Sequence, residues 1–248
     1  MSRAWTALLM TITVGCAPRT GPHIPSAMTV LKTDWSPVTM FLDSAVAAGA
    51  APGAVLGVSV AGQRVLYASG RLTRAETAPT EPTTVYDLAS LTKVVGLATA
   101  VMLAVDDGKL ELDAPVQRYL PAFAGAGKER VTIRLLLAHG SGLPGWRPLF
   151  QETATREEAF ALADATALVS LSGTTEVYSD LGMIVLTQLV EAVYHERLDS
   201  LLARRIFQPL GMTSVRFLPT VERARIAPTE LDPWRGRILR GEVHDENA

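Results

Sequence analysis

The stretch that most constrains the fold of this chain runs from residue 90 to residue 107, SLTKVVGLATAVMLAVDD. Its side chains are apolar almost all round a helical turn, and Gly108 follows where a helix typically ends. A helix of this composition is stable in water only when other elements cover it on every side. The sequence therefore predicts a globular domain built around this helix, in which any polar residue of the helix requires a specific reason.

A helix and a β-hairpin are predicted before this stretch. SPVTMFLDSAVAAGA has Ser36 as a capping residue, Pro37 at the first helical position and Gly49 just past its end. GAVLGVSV and QRVLYASG are rich in β-branched residues and are separated only by Ala61 and Gly62, which indicates the two strands of a hairpin.

Several shorter helices are predicted after the central one, and the polar residues from Pro228 onward show no clear period. The helical patterns cover residues 133–138, 156–165, 181–194 and 198–207. The order is thus a helix, a hairpin and then many helices. Because a lone hairpin is only marginally stable in water, we expect further strands or a covering layer beside it.

The N-terminus has the pattern of an export signal. Arg3 precedes an eleven-residue apolar run over residues 4–14, which is too short to span a bilayer of about 30 Å. The run ends in TVGC, which resembles a bacterial lipobox with Cys16 as the lipid attachment residue. We therefore predict a signal peptide over residues 1–16 and an exported protein, lipid-anchored to the bacterial cell envelope on its periplasmic or outer face. Ordinary export and a plain N-terminal helix remain the alternatives.

The remaining chain divides into a linker and one domain. Residues 17–34 are rich in Pro, Gly and Thr and are predicted to form a flexible tether, and residues 35–248 are predicted to form the folded domain. Cys16 is the only cysteine, so the chain has no internal disulfide, and we predict neither a metal site nor a cofactor. A net charge of −2 with scattered arginines argues against nucleic acid as a partner.

Ser90 and Lys93 form an SxxK pair at the start of the central helix. Residues three apart lie on one helical face with Cβ atoms about 5–6 Å apart, so the two side chains can meet. Lysine accepts a proton from serine only when its pKa falls from about 10.4, and we expect burial by the apolar run over residues 94–104 to lower it. The alternative is a serine at a helix start with a lysine reaching into water.

A second candidate segment is YSDLG, which begins at Tyr178 and precedes an apolar helical pattern. Asp180 stands where an N-cap residue is expected, and the segment then needs no further explanation. In the alternative interpretation, Tyr178 transfers a proton from a serine to a leaving group. This role requires a nearby lysine that stabilises the Tyr178 phenolate. Neither this segment nor the SxxK pair is decisive alone.

Together and in this order, YDLASLTKVVGLATAVMLAVDDGKLELDAPVQRYLP, TIRLLLAHGSGLP and YSDLG resemble the serine β-lactamase and penicillin-binding protein superfamily, in particular the class C β-lactamase-like serine hydrolases and esterases. The resemblance runs from about Trp35 to the C-terminus. It implies an α+β fold of the β-lactamase/transpeptidase type, with an antiparallel sheet formed from both ends of the chain, flanking helices and an inserted helical region. The site is expected to lie between these two parts.

The resemblance also implies a site and a reaction. Ser90 is the implied nucleophile, Lys93 and Tyr178 are expected to share proton transfer, and Asp180 occupies a substrate-binding position. The implied reaction is attack of Ser90 on an ester, β-lactam or D-alanyl-type amide carbonyl, after which water releases the acyl group. The expected partners are therefore a small-molecule or peptidoglycan-type substrate and, through the lipid anchor, a membrane. His139 in LLLAHGSGLP is expected to stabilise a turn rather than to act as a general base.

The chain departs from the family pattern in two places. Asp180 stands where the family more often has asparagine, and a carboxylate can only accept hydrogen bonds and would hold Lys93 in its charged form. The family's third motif, a lysine or histidine followed by Thr or Ser and Gly, is absent, so we expect a C-terminally truncated chain with an incomplete sheet. The sequence therefore leaves three hypotheses: a serine hydrolase, a catalytically inactive binding protein, and a β-lactamase proper.

Overall fold

The computed structural model of the chain describes residues 34–60, 62–219 and 223–247. The predicted signal peptide, Cys16 and all but the last residue of the predicted tether lie outside these ranges. Within the ranges, no helix combines the length and the apolar composition that a bilayer crossing requires.

A helix and a hairpin open the described domain. Helix α1 (Ser36–Ala47) is followed by strands β1 (Gly53–Val60) and β2 (Gln63–Gly70), which pair antiparallel as predicted, with Val60 opposite Gln63. The Asp43 carboxylate of α1 ties the helix to β2, because it accepts hydrogen bonds from Tyr67 at 2.8 Å and Ser69 at 2.6 Å. Ser36 is not the N-cap that we predicted, since Trp35 occupies that position.

The predicted central helix divides into two hydrogen-bonding patterns. A π-helical segment (Lys93–Ala98) continues directly into helix α2 (Thr99–Asp106). Burial on every side was predicted and is wrong: Ala100 and Val101 are fully buried, whereas Val94 and Met102 are 65% and 71% exposed. The reason is that no element in the described part of the chain covers the face with Val94 and Met102.

The remaining helices follow the predicted positions closely, with a few short additions. Two short 3-10 turns (Val116–Arg118 and Lys128–Arg130) lead into the helices that the sequence predicted. The later elements are α3 (Ile133–Leu137), α4 (Leu149–Glu152), α5 (Arg156–Ala165), α6 (Asp180–Tyr194), α7 (Leu198–Leu202), a second π-helical segment (Ala203–Phe207) and a 3-10 turn (Arg223–Arg225). The last two described strands, β3 (Leu231–Asp232) and β4 (Arg237–Ile238), form a small antiparallel hairpin that the sequence did not predict.

The hydrophobic core is centred on α6, which contacts α2, α3, α5 and α7. Its side chains Val185, Leu186 and Leu189 are fully buried, and they pack with residues such as Leu136 of α3 and Leu201 of α7. Burying one such side chain contributes about 1.5–3 kcal/mol. The first turn of α6 is therefore held firmly at the point where the YSDLG segment begins the helix.

Candidate active site

Ser90 lies in an exposed turn just before the π-helical segment. The preceding residue, Ala89, has a φ of 44°, which is unusual for a residue other than glycine, and its N–H donates to Asp87 Oδ1 at 2.8 Å. Strained backbone of this kind is concentrated at functional sites. Ser90 N–H has no hydrogen-bond partner among the described residues, so it can donate to a group bound in front of Ser90. Sequence reasoning did not identify Asp87 or Ala89.

Lys93 contacts Ser90 as the SxxK spacing predicted. The Lys93 backbone N–H donates to Ser90 O at 3.1 Å, which closes the turn, and Lys93 Nζ donates to Ser90 Oγ at 3.0 Å. This contact fixes the ammonium group beside the hydroxyl. It also leaves the hydroxyl proton of Ser90 free to point elsewhere, because Oγ is the acceptor in this hydrogen bond.

Tyr178 comes to the same place from a loop 85 residues further along the chain. Its ring centroid is 4.9 Å from Lys93 Nζ, and 55% of its surface is exposed. The pKa of the Tyr178 phenol is lowered below its ordinary value of 10.0. The largest cause is hydrogen bonding with Lys93, and the second is hydrogen bonding with Ser90. The three predicted residues Ser90, Lys93 and Tyr178 therefore lie together, and Tyr178 is the group whose negatively charged form the other two stabilise.

Asp180 is the fourth predicted residue in this cluster. Its Oδ1 lies 2.8 Å from Lys93 Nζ, in an ion pair whose side chains are 27% and 19% exposed, respectively. Burial lowers the pKa of Lys93, but Asp180 and Tyr178 together outweigh burial and raise that pKa above its ordinary value. Our prediction that apolar surroundings lower the pKa of Lys93 is therefore wrong, because a carboxylate lies within ion-pairing distance. Lys93 is protonated at neutral pH.

Asp180 is not the N-cap of α6, so the alternative explanation of Asp180 as a capping residue is wrong. Ser179 is the N-cap, and its Oγ accepts a hydrogen bond from Gly182 N at 3.1 Å. Asp180 is the first helical residue, where a negative charge interacts favourably with the helix dipole. Its carboxylate is consequently not used for capping and is available to Lys93.

The loop that contains His139 holds Tyr178 in place. His139 O accepts from Val177 N at 2.9 Å, and His139 Nδ1 accepts from Ser179 N at 3.0 Å. The His139 ring also lies against the Tyr178 ring, with 4.6 Å between centroids. These contacts on both sides of Tyr178 match the turn-stabilising role that we expected for His139. The pKa of His139 is lowered, mainly by burial and to a smaller extent by the charge of Lys93. A lower pKa favours the neutral ring, whose Nδ1 can accept the hydrogen bond from Ser179 N.

A second part of the same loop fixes the start of α6. Ser179 Oγ donates to Pro144 O at 2.6 Å, and Asp180 N donates to Gly145 O at 2.8 Å. A Cβ atom at Gly145 would lie 3.0 Å from Tyr178 O, so a larger residue there would require this loop or the Tyr178 backbone to shift. The segment GSGLPG therefore contacts the YSD segment through two hydrogen bonds and a close backbone approach.

The cluster has the components of acyl transfer. The Lys93 ammonium donates to the Ser90 hydroxyl at 3.0 Å and lies 4.9 Å from the centre of the Tyr178 ring, whose phenol can accept the proton of a serine. Within residues 34–60, 62–219 and 223–247, no group of three or more His, Cys, Asp or Glu side chains could hold a metal ion. The arrangement can therefore activate a serine by proton transfer to a side chain.

Comparison with known proteins gives a family match and several relatives. The family described as Beta-lactamase matches residues 40–240. A protein of Escherichia coli K12, provisionally named a D-alanyl-D-alanine carboxypeptidase, is 31% identical over 193 residues, which are 66% of this chain and 44% of that protein. A protein of the same name from Salmonella schwarzengrund is 28% identical with the same coverage. The chain thus spans less than half the length of these curated relatives.

Solved structures with the same fold include β-lactamases and penicillin-binding protein homologues. A class C β-lactamase mutant superposes with a TM-score of 0.72 at 21% identity, covering 82% of this chain and 56% of that one. A penicillin-binding protein homologue from Caulobacter crescentus gives a TM-score of 0.68 at 25% identity, with coverages of 79% and 54%. An octameric penicillin-binding protein homologue from Pyrococcus abyssi superposes with a TM-score of 0.70 at 24% sequence identity. The match covers 86% of this chain and 51% of that one. These likenesses confirm the predicted α+β fold class.

Proposed function

We propose that this chain, which belongs to the β-lactamase family, is a serine hydrolase that forms an acyl-enzyme on Ser90. The observation that carries the proposal is the joint position of three groups: Lys93 Nζ donates to Ser90 Oγ, and the pKa of Tyr178 is lowered by Lys93 and Ser90. A serine hydroxyl needs an adjacent proton acceptor before it can attack a carbonyl, and this arrangement supplies one.

Tyr178 is the proposed general base, because Lys93 is protonated and cannot accept a proton. The Lys93 ammonium stabilises the Tyr178 phenolate, and the Ser90 hydroxyl donates towards that phenolate. As Ser90 Oγ bonds to the carbonyl carbon, its proton passes to Tyr178 and the carbonyl electron pair moves onto oxygen. Tyr178 then gives the proton to the leaving group as the tetrahedral intermediate collapses. In deacylation, water attacks the acyl carbonyl and gives a proton to Tyr178. Ser90 Oγ then leaves and takes up that proton from Tyr178.

The Ser90 backbone N–H is the proposed donor to the oxygen on which charge develops. It has no other partner in the described ranges and lies at the start of the π-helical segment. A backbone donor aimed at such an oxygen contributes about 10²–10³ in rate. The unusual φ of Ala89 orients this N–H together with the Ser90 side chain.

The proposed substrates are esters, β-lactams or D-alanyl-type amides of small-molecule or peptidoglycan origin. Support comes from relatives that are named as D-alanyl-D-alanine carboxypeptidase and as class C β-lactamase. A β-lactamase proper is the less favoured of these, because the Asp180 carboxylate cannot donate a hydrogen bond to a substrate carbonyl. Nitrocefin turnover by the purified protein tests that possibility directly.

The second candidate function is a catalytically inactive binding protein. One observation favours it: Asp180 pairs with Lys93 at 2.8 Å and helps to raise the pKa of Lys93, so that Lys93 cannot accept a proton from Ser90. An inactive protein would bind substrate-like ligands without acylation of Ser90.

Labelling by a fluorescent fluorophosphonate separates the two candidates. The hydrolase proposal expects labelling of the wild type, loss of labelling in Ser90→Ala and full labelling in Ser200→Ala, which removes an exposed serine distant in sequence. A wild type that folds but is not labelled, by this reagent or by a fluorescent penicillin, supports the inactive binding protein instead.

We also propose that the protein is exported and lipid-anchored to the cell envelope through Cys16. The support is the TVGC sequence after a short apolar run. Labelled palmitate should enter the wild type, but not Cys16→Ala, in a bacterium that processes lipoproteins. Absence of label in the wild type rejects the anchor.

A further inference from the structure

The stretch of chain that contains Ser90 is anchored at both ends and exposed between them. On one side, Val85 is held by two backbone hydrogen bonds to the segment 225–227, at 2.9 and 2.8 Å. On the other side, the π-helical segment enters the core, where Leu97 is buried. Residues 86–91 lie between these anchors and are exposed. The orientation of Ser90 therefore depends on the backbone conformation of these six residues rather than on packing.

Ala89 has an unfavourable conformation within this stretch. Its φ of 44° lies in the left-handed region, which lowers the population of an alanine conformer by about 5- to 30-fold relative to the right-handed region. The peptide group that joins Ala89 to Ser90 carries the Ser90 N–H. Ala89 O also accepts from Thr92 N at 3.0 Å in the turn that follows. A change of Ala89 to an ordinary conformation would therefore rotate the Ser90 N–H and disturb the turn that places the Ser90 hydroxyl.

The Asp87 side chain stabilises the unfavourable conformation of Ala89. Asp87 Oδ1 accepts from the Ala89 N–H at 2.8 Å, two residues further along the chain. Aspartate side chains that bond to their own backbone in this way stabilise turns and tolerate left-handed residues beside them. Because Asp87 is exposed, its carboxylate adds little to the packing of the core. Its hydrogen bond consequently acts on the loop before Ser90.

We propose that Asp87 is a positioning residue for acylation. By accepting the Ala89 N–H, Asp87 keeps Ala89 in the left-handed region, and Ala89 in turn directs the N–H and the hydroxyl of Ser90 towards the carbonyl group under attack. Asp87 acts through Ala89 and does not touch the reacting atoms. This inference rests on the proposed hydrolase function and adds a residue that lies outside both the SxxK pair and the YSD segment.

Asp87→Ala removes the acceptor and leaves the conformation of Ala89 without support. Stopped-flow acylation by p-nitrophenyl acetate, followed over a range of ester concentrations, gives the maximal acylation rate and the half-saturating concentration. We expect the maximal rate to fall by about 5- to 30-fold, the population cost of a left-handed alanine. The half-saturating concentration should stay nearly unchanged, because Asp87 does not contact the substrate. A folded Asp87→Ala protein with the wild-type rate, or with an effect on the half-saturating concentration alone, would overturn the proposal.

Two further variants separate the hydrogen bond from the charge of Asp87. Asp87→Asn keeps a side-chain oxygen that can accept from Ala89 N, so acylation should be nearly as fast as in the wild type. Ala89→Gly adopts a positive φ without the penalty, so Asp87→Ala should slow acylation much less in the Ala89→Gly background than in the wild type. If Asp87→Asn is as slow as Asp87→Ala, or if Ala89→Gly does not reduce the effect of Asp87→Ala, a role through Ala89 is rejected.

Asp34→Ala is the matched control. Asp34 Oδ1 accepts from Ser36 N at 2.9 Å, which is the same contact over two residues, at the start of α1 instead of before Ser90. Acylation by Asp34→Ala should equal that of the wild type. A loss as large as that in Asp87→Ala would show a general effect of losing such a contact and would contradict a specific role for Asp87.

An NMR measurement tests the link between Asp87 and Ala89 directly. The coupling between the amide and α protons of Ala89 reports its φ, and the Ala89 signal is the one that disappears in Ala89→Gly. We expect a positive φ in the wild type and in Asp87→Asn, and a shift towards negative φ in Asp87→Ala. An unchanged coupling in Asp87→Ala would overturn the inference even if acylation is slow. Acylation that is insensitive to Asp87 rejects only the inference, whereas a folded wild type without acylation rejects the hydrolase and the positioning role together.

Discussion

Tyr178→Phe isolates the phenolic oxygen from the other interactions of this side chain. The ring makes the contact with His139, at 4.6 Å between centroids, and lies 4.9 Å from Lys93 Nζ. Phenylalanine keeps both ring contacts and removes only the oxygen. Because 55% of the residue is exposed, we expect the free energy of unfolding to change by less than about 0.5 kcal/mol.

The expected effect on the rate follows from the role of the oxygen. General base catalysis by a positioned side chain contributes about 10²–10⁴ in rate, and Lys93 cannot replace Tyr178, since Asp180 and Tyr178 raise the Lys93 pKa. We therefore expect kcat/KM for an activated ester to fall by about 10²–10⁴. The pH dependence should change as well. Activity of the wild type should rise with pH through a midpoint below 10.0, the ordinary phenol pKa, whereas the variant should lose this step.

Stopped-flow measurement of acylation by p-nitrophenyl acetate across the pH range gives both quantities. Circular dichroism and thermal unfolding of the same samples establish that the variant is folded. A folded Tyr178→Phe protein with a wild-type acylation rate would refute the assignment of Tyr178 as base. A variant that is slow but keeps the wild-type pH step would assign that step to another group.

Two further predictions concern the residues that follow Tyr178. Ser179→Ala removes the N-cap of α6 and leaves Gly182 N and Pro144 O without their partner, so we expect destabilisation by about 2 kcal/mol in denaturant unfolding, together with slower acylation. The control Thr155→Ala removes the N-cap of α5 and should destabilise the fold by about 1 kcal/mol without changing the acylation rate. If both variants slowed acylation equally, a positioning role for Ser179 would be contradicted. Asp180→Asn removes a negative charge that raises the pKa values of both Tyr178 and Lys93, so the pH–rate profile should move to lower pH on both limbs. A profile that stays in place, or moves to higher pH, would be inconsistent with these charge interactions.

The elements with strong local patterns could be predicted from the sequence. Strands β1 and β2 are as predicted, because β-branched runs flank a turn that needs the positive φ of Gly62. Strands β3 and β4 contain two residues each, which is too short for any periodic signal. The π-helical segment Lys93–Ala98 has the composition of an α-helix, so its hydrogen-bonding pattern could not be read from the sequence.

The proximity of Ser90, Lys93 and Tyr178 could be predicted from the sequence, but the electrostatics of these residues could not. The spacing of Ser90 and Lys93 predicted their contact, because it depends on local helical geometry alone. The pKa of Lys93 depends on Asp180, which is 87 residues away in sequence and 2.8 Å away in space. The N-cap was misassigned by one residue, since Ser179 and Asp180 are adjacent and both are good capping residues.

The most direct test of the account is the identity of the residue that carries the acyl group. The protein should be mixed with p-nitrophenyl acetate, quenched in acid and mapped by mass spectrometry of its peptides. We predict an acetyl group on Ser90 in the wild type and a much smaller amount at the same time point in Tyr178→Phe. An acetyl group on Lys93 or Tyr178 instead, or a folded wild type without any adduct, would contradict nucleophilic attack by Ser90.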